Sequence, residues 1–154
     1  MEKAKKEGSG AGSGAVGPAA ARTAVGAEHL RLEELLREIE GALARDEADA
    51  GFPALAEELA NAMLAHFERE ESLYYPTLWA LRPEVEAPLK ALIGIHPDFR
   101  TRLDALVETV GRGEIERASR LVEEFSVLFG EHEHAEERIL ASLQLEGARA
   151  QPES

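Results

Sequence analysis

Four apolar stripes run along the chain, each stepping by alternating threes and fours. They are Val25-His29-Leu32-Leu36-Ile39-Leu43, then Leu59-Met63-His66-Glu70-Leu73. Next come Leu89-Leu92-His96-Phe99-Leu103-Leu106-Val110 and Ile115-Ala118-Val122-Phe125-Phe129-His132-Glu136-Ile139-Leu143. That spacing draws one seam along a helix. Asp46 to Pro53 separates the first two stripes, Arg82-Pro83 closes the second, and Gly111-Arg112-Gly113 parts the third from the fourth. Helices are expected at about 27–46, 53–81, 85–110 and 114–145. Short connections make neighbours antiparallel, so the expected fold is all-α, an up-down-up-down four-helix bundle. Pro97, beside His96, removes a helix hydrogen bond and should kink the third helix or start a new segment there.

The seams contain six ionisable residues where Leu or Ile would normally stand: His29, His66, Glu70, His96, His132 and Glu136. Counted from the turns at about 1.5 Å per residue, the four rings fall within about two helical turns of a common level. The spacing also repeats. His29 to His66 is 37 residues and His96 to His132 is 36. The first and third seams each carry a lone His, and the second and fourth each carry His-x-x-x-Glu. The bundle thus reads as two similar hairpins.

Residues four apart share a helix face, so one ion can reach His66 and Glu70 together, and another His132 and Glu136. Four imidazoles and two carboxylates are too many for one closed tetrahedral zinc site. They suit two ions, each holding two His and sharing both Glu, with room for an exogenous oxygen ligand. Imidazole suits iron, zinc, copper and nickel, while carboxylate favours harder ions and can bridge. Two carboxylates buried without a cation would cost several kcal/mol each. The competing reading is a helical interaction module whose buried His/Glu network holds no metal.

Composition narrows the partners. The chain has 154 residues, one domain's worth, with 44% hydrophobic and 31% charged residues. A formal net charge of −13 disfavours nucleic acid and anionic lipid as partners. No apolar run is long enough to cross a bilayer. With no cysteine, disulfides, thiolate zinc and iron–sulfur clusters are excluded, and a reducing, cytoplasmic setting is expected. Residues 1–26, rich in Gly, Ala and Ser, read as a flexible arm; they are too Gly-rich to form a signal peptide's apolar region. The bundle is then expected over 27–146, with a frayed tail at 147–154.

Beside the seams, His134 faces another side and is expected in solvent. Glu33, four after His29, is a candidate to orient that ring, and Glu71 and Glu137 are candidates for outer or substitute ligands. Tyr74 is a candidate pocket residue.

At this point the chain resembles the hemerythrin-like, HHE cation-binding family. The resemblance covers about residues 27–145. It is carried by HFEREESLYYP at 66–76, HEHAEERIL at 132–140, and the lone His29 in EHLRLEELL and His96 in LIGIHPDFR. It implies a non-haem di-iron centre with bridging carboxylates, with manganese or zinc as other occupants, and a site for dioxygen, peroxide or nitric oxide. On that reading His29, His66, His96 and His132 are terminal ligands, and Glu70 and Glu136 bridge. Two departures stand out. Oxygen-carrying members have a second third-helix His where this chain has Arg100. They also place the fourth-helix carboxylate five after its His, where this chain has Glu137. The resemblance is therefore closer to members with four His and two Glu, and the role expected of this chain is sensing, iron handling or redox protection rather than reversible oxygen carriage.

Overall fold

The computed structural model describes the backbone of residues 17–45 and 51–150, with side chains through residue 143. The elements are α1 (Pro18–Ala44), α2 (Phe52–Arg69), a π turn (Glu70–Tyr74), α3 (Tyr75–Leu81), a 3-10 turn (Pro83–Val85), α4 (Glu86–Ile93), α5 (His96–Gly111) and α6 (Ile115–Ala150). No strand occurs among the described residues. α1 is one arm, α2 to α3 the second, α4 and α5 the third, and α6 the fourth. α1 packs on α2, α2 on α5, α5 on α6, and α6 back on α1, which closes a four-helix bundle.

The first arm begins earlier than the stripe suggested. Gly17 is extended, Pro18 occupies the first turn, and the Ala21 amide donates to the Gly17 carbonyl at 2.9 Å. Proline is pre-set for that position and the following alanines are strong helix formers. Ala21 and Val25 are buried. The flexible-arm reading is therefore corrected for residues 18–26, while residues 1–16 lie outside the described residues. At the far end the α6 backbone stays helical to Ala150, through the first part of the expected tail, and residues 151–154 lie outside the described residues.

The second arm is not one continuous α-helix. Pro76 has no N–H, and its ring would collide with the Ser72 carbonyl in regular helix. The backbone inserts one residue instead, and the Tyr75 amide reaches the Glu70 carbonyl five positions back. From there on the inward-facing positions shift by one, so Tyr75 is fully buried.

The third arm breaks at Gly94–Ile95, and α5 starts at His96 with Pro97 in its first turn, the new segment the proline led us to expect. α5 ends in a Schellman arrangement. Gly113 N–H donates to Val110 O at 2.9 Å and Glu114 N–H to Thr109 O at 3.2 Å. The positive φ of 76° that this needs is open to glycine at little cost.

The apolar interior falls into two clusters. The larger gathers Leu32 to Ile39, Phe52 to Phe67, Phe99 to Val110 and Ala118 to Phe129. The smaller gathers Ala21, Val25, Tyr74, Tyr75, Leu78, Val85, Leu89, Leu92 and Leu143. The six seam His and Glu residues belong to neither, and along every arm they fall between the two.

Candidate metal centre

His29 projects from the middle of α1, His66 from the last turn of α2, Glu70 from the first position of the π turn, His96 from the start of α5, and His132 and Glu136 from α6. The layer is thus sealed on both sides by packed side chains. All six are buried, from fully enclosed at Glu70, His96 and Glu136 to 3% exposed at His29 and His132. The rings come in two pairs. His29 and His66 lie 5.1 Å apart by ring centroid, and His96 and His132 lie 5.3 Å apart. Phe67 stacks on His96 at 4.4 Å, which fixes that ring's plane.

Two groups of donor atoms converge. His29, His66, Glu70 and Glu136 form one; Glu70, His96 and His132 form the other. Within each, one donor atom per residue lies within 4.8 Å of all the rest. Glu70 belongs to both. One of its oxygens lies 3.0 Å from His66 Nε2 and the other 3.2 Å from His96 Nε2. Glu136 Oε1 lies 3.0 Å from His29 Nε2. These contacts are short but badly angled for hydrogen bonds. The Nε2 atoms of His29, His66, His96 and His132, and all four oxygens of Glu70 and Glu136, have no hydrogen-bond partner among the described residues. Buried polar atoms are normally paired, and leaving one unpaired costs about 1–3 kcal/mol. Lone pairs converging without protons to share are what a cation's inner shell requires. The donor set fits metal, and of mixed hard and borderline character.

Electrostatics agree. Burial pushes the Glu70 carboxyl well above the usual range, with His96 opposing and the facing Glu136 adding to the rise. Burial lowers the His132 imidazole to about 4, so its ring stays neutral near pH 7. A cation pair would relieve the first effect and needs the second.

Outside this layer, carboxylates hold the rings from behind. His66 Nδ1 lies 2.7 Å from Glu28 Oε1, and Glu28 Oε2 also accepts from Arg69 Nε at 2.7 Å and Tyr74 OH at 2.6 Å. Burial alone would raise the Glu28 pKa, but these three bonds hold it down at about 2. His96 Nδ1 lies 2.5 Å from Glu71 Oε2, which also accepts from Arg100 at 3.0 Å. An ionised carboxylate only accepts, so both Nδ1 atoms carry the proton and both Nε2 lone pairs point inward. His29 Nδ1 is approached by Glu133 at 3.5 Å and Glu137 at 3.8 Å, too far for hydrogen bonds.

The structure brings all six seam residues together and sorts the rest. Glu71 orients His96. Tyr74 acts through Glu28 rather than lining the centre. His134 is exposed, and Glu137 is 61% exposed at its side chain. Glu33 does not orient His29; it stands beside Glu133 instead. Sequence reasoning passed over Glu28, Glu133 and Tyr75. Glu28 and Glu133 share a signal with Glu71: each is a carboxylate next in sequence to an inner residue. Tyr75 was hidden by the register shift of the π turn, for which Pro76 was the visible sign. Its hydroxyl is buried without a partner among the described residues, and burial together with Glu70 and Glu136 strongly raises its pKa.

Fold and centre together define a helical-bundle cation-binding domain with a layer of His and Glu ligand candidates at mid-bundle. The hemerythrin HHE cation binding domain model matches residues 21–143, and the chain belongs to that family. The match begins at Ala21, inside the segment that composition alone assigned to an arm. No curated protein and no solved structure matches the chain. Among the described residues, no helix is long and apolar enough to cross a membrane.

Proposed function

We propose that this chain binds two iron ions and uses them to take up a small oxygen-type ligand, dioxygen, nitric oxide or peroxide, in sensing, iron handling or redox protection. His29, His66, Glu70 and Glu136 would hold one ion, and His96, His132 and Glu70 the other. The observation that carries this reading is Glu70, whose two oxygens face the two histidine pairs with no other partner among the described residues. A bridging carboxylate is the role such a residue fills between two cations.

Iron bound there would supply Lewis acidity and one-electron redox chemistry. The chain's own contribution is positional. Glu28 and Glu71 keep the His66 and His96 protons on the outward nitrogens, and Phe67 and the two apolar clusters keep bulk water from the layer. Two irons per chain are expected after anaerobic loading, by elemental analysis. Fewer than one transition metal per two chains would overturn the reading in favour of a metal-free His/Glu network.

A further inference from the structure

The carboxylates behind the rings are not alike. Glu28 holds His66 Nδ1 and is matched by Arg69; Glu71 holds His96 Nδ1 and is matched by Arg100. Glu133, behind His29, has neither feature. Its Oε2 stops 3.5 Å from His29 Nδ1, and no Arg or Lys pairs with it among the described residues. Glu133 is 7% exposed, and that oxygen is buried with no hydrogen-bond partner among the described residues. Two more carboxylates gather there. Glu33 lies one turn after His29 on α1, and Glu137 one turn after Glu133 on α6. Glu137 Oε2 is 3.8 Å from His29 Nδ1. Burial opposes charge on Glu133, His29 favours it, and Glu33 and Glu137 add to the opposition. A buried carboxylate among like charges is costly without a cation.

This place opens to solvent. A groove of about 260 Å³ between α1 and α6 reaches His29, with Glu137 on its wall. Arg22 lines it too, seven residues before His29 and so about 10 Å away along the helix. The His29 ring stands between the carboxylates and the centre. Its Nδ1 faces Glu133 and Glu137, and its Nε2 lies 3.0 Å from Glu136 Oε1 on the inner side. Hydrogen bonds at Nδ1 tie the planes of His66 and His96, and His29 has no such bond among the described residues.

We propose that Glu33, Glu133 and Glu137 form a capture site for a divalent metal ion, and that the His29 ring swings to hand the ion inward to Glu136. The inference rests on the two-iron reading above and supplies the route by which iron reaches the layer. Carboxylate oxygens suit a hard, hydrated dication. Charge of one sign lining a cleft raises the on-rate of the opposite ion by about 10–1,000-fold. A ring tied at Nδ1 would have to break a bond to move, and His29 would not. The rival entrance is at His132, through a cavity of about 170 Å³ lined by Leu92, Ile95, Leu128 and Ala135, with the exposed Asp98 and Glu131 at its edge. An apolar passage opposes an ion, which must shed its water there without replacement ligands.

Iron transfer into and out of the full chain tests this. Metal-free protein is mixed anaerobically with ferrous ion, and free iron is read over time with a fast chromogenic chelator; release from loaded protein into excess chelator is timed separately. Glu33→Gln with Glu137→Gln should slow uptake about tenfold or more. Release should slow by a similar factor, so that affinity and final iron content stay unchanged. Glu133→Gln should slow both as well and serves if the double variant is unstable. Asp98→Asn with Glu131→Gln removes the same number of charges beside His132 and should leave both rates within about twofold. Equal slowing by the two pairs would reduce the effect to the general field of an acidic chain and overturn the route. Weaker affinity at an unchanged uptake rate would make Glu133 a brace for His29 and overturn it too. Failure of the unmodified chain to hold iron would instead overturn the two-iron reading. The capture site would then still broaden the NMR signals of Gly26 and Glu137 with substoichiometric manganese(II), and absence of that broadening would overturn the site itself.

Discussion

Glu71 and His96 come from different arms and meet at 2.5 Å, and Arg100 donates to the same carboxylate oxygen at 3.0 Å. Arg100 stands where oxygen carriers of the family place another histidine. Here it is partly exposed and holds the carboxylate that orients His96. At this position the chain carries a support for Glu71.

Removing such a support should loosen the metal without unfolding the bundle. Glu28→Gln and Glu71→Gln are each expected to lower iron affinity by roughly 10–100-fold. Chelator competition measures this. Arg100→Ala should have a smaller effect, because its side chain is 38% exposed and such pairs contribute little. An Arg100→Ala loss as large as that of Glu71→Gln would contradict the chain of support.

Glu70→Gln should change sign with metal. In metal-free protein it removes a buried carboxylate that faces Glu136 and raises the melting temperature. In iron-loaded protein it removes the ligand shared by both groups, so occupancy and melting temperature both fall. Glu136→Gln should also lower occupancy, and His134→Ala, on an exposed residue, should leave it unchanged. Elemental analysis with thermal melts in both states decides. Equal losses for His134→Ala and Glu136→Gln would mean the α6 ligands are wrongly assigned.

Acid should destabilise the metal-free protein through His132. Burial lowers its pKa from an ordinary 6.5 to about 4. Between those values the unfolded chain binds a proton that the folded protein excludes, so stability rises with pH across that window. The contribution is complete above about pH 6.5 and lost as pH falls toward about 4. Melting temperatures of metal-free wild type and His132→Gln should therefore converge as pH is lowered through this range. Parallel curves would contradict the assignment.

The start of α1 should be part of the domain. Val25 is 1% exposed and packs in the smaller cluster. Val25→Ala is expected to cost about 1–3 kcal/mol by denaturant unfolding, from lost burial and a residual cavity. A change below about 0.5 kcal/mol, the range of surface substitutions, would return residues 18–26 to the status of an arm.

Much of this was legible along the chain, for a physical reason. A helix that buries one face must repeat its apolar positions every three to four residues, so a polar residue in phase is a polar residue in the core. That rule located His29, His66, Glu70, His96, His132 and Glu136. It fails where the period fails. Pro76 forces an extra residue into the turn, and Tyr75 takes the inward place that the count would pass over. It also says nothing of residues one step off the seam. Glu28, Glu71 and Glu133 look like surface charges until the neighbouring arm is in place.

The sequence by itself determined the bundle, the six inner residues and their paired spacing, since each follows from local periodicity and turn chemistry. Only the tertiary structure decided that α1 begins at Pro18, that Glu70 joins both donor groups while Glu136 joins one, and that His132 Nδ1 has no hydrogen-bond partner among the described residues. Those facts depend on which side chain of one arm reaches which ring of the next. Helical period sets the face a residue occupies; packing between arms sets what it meets there.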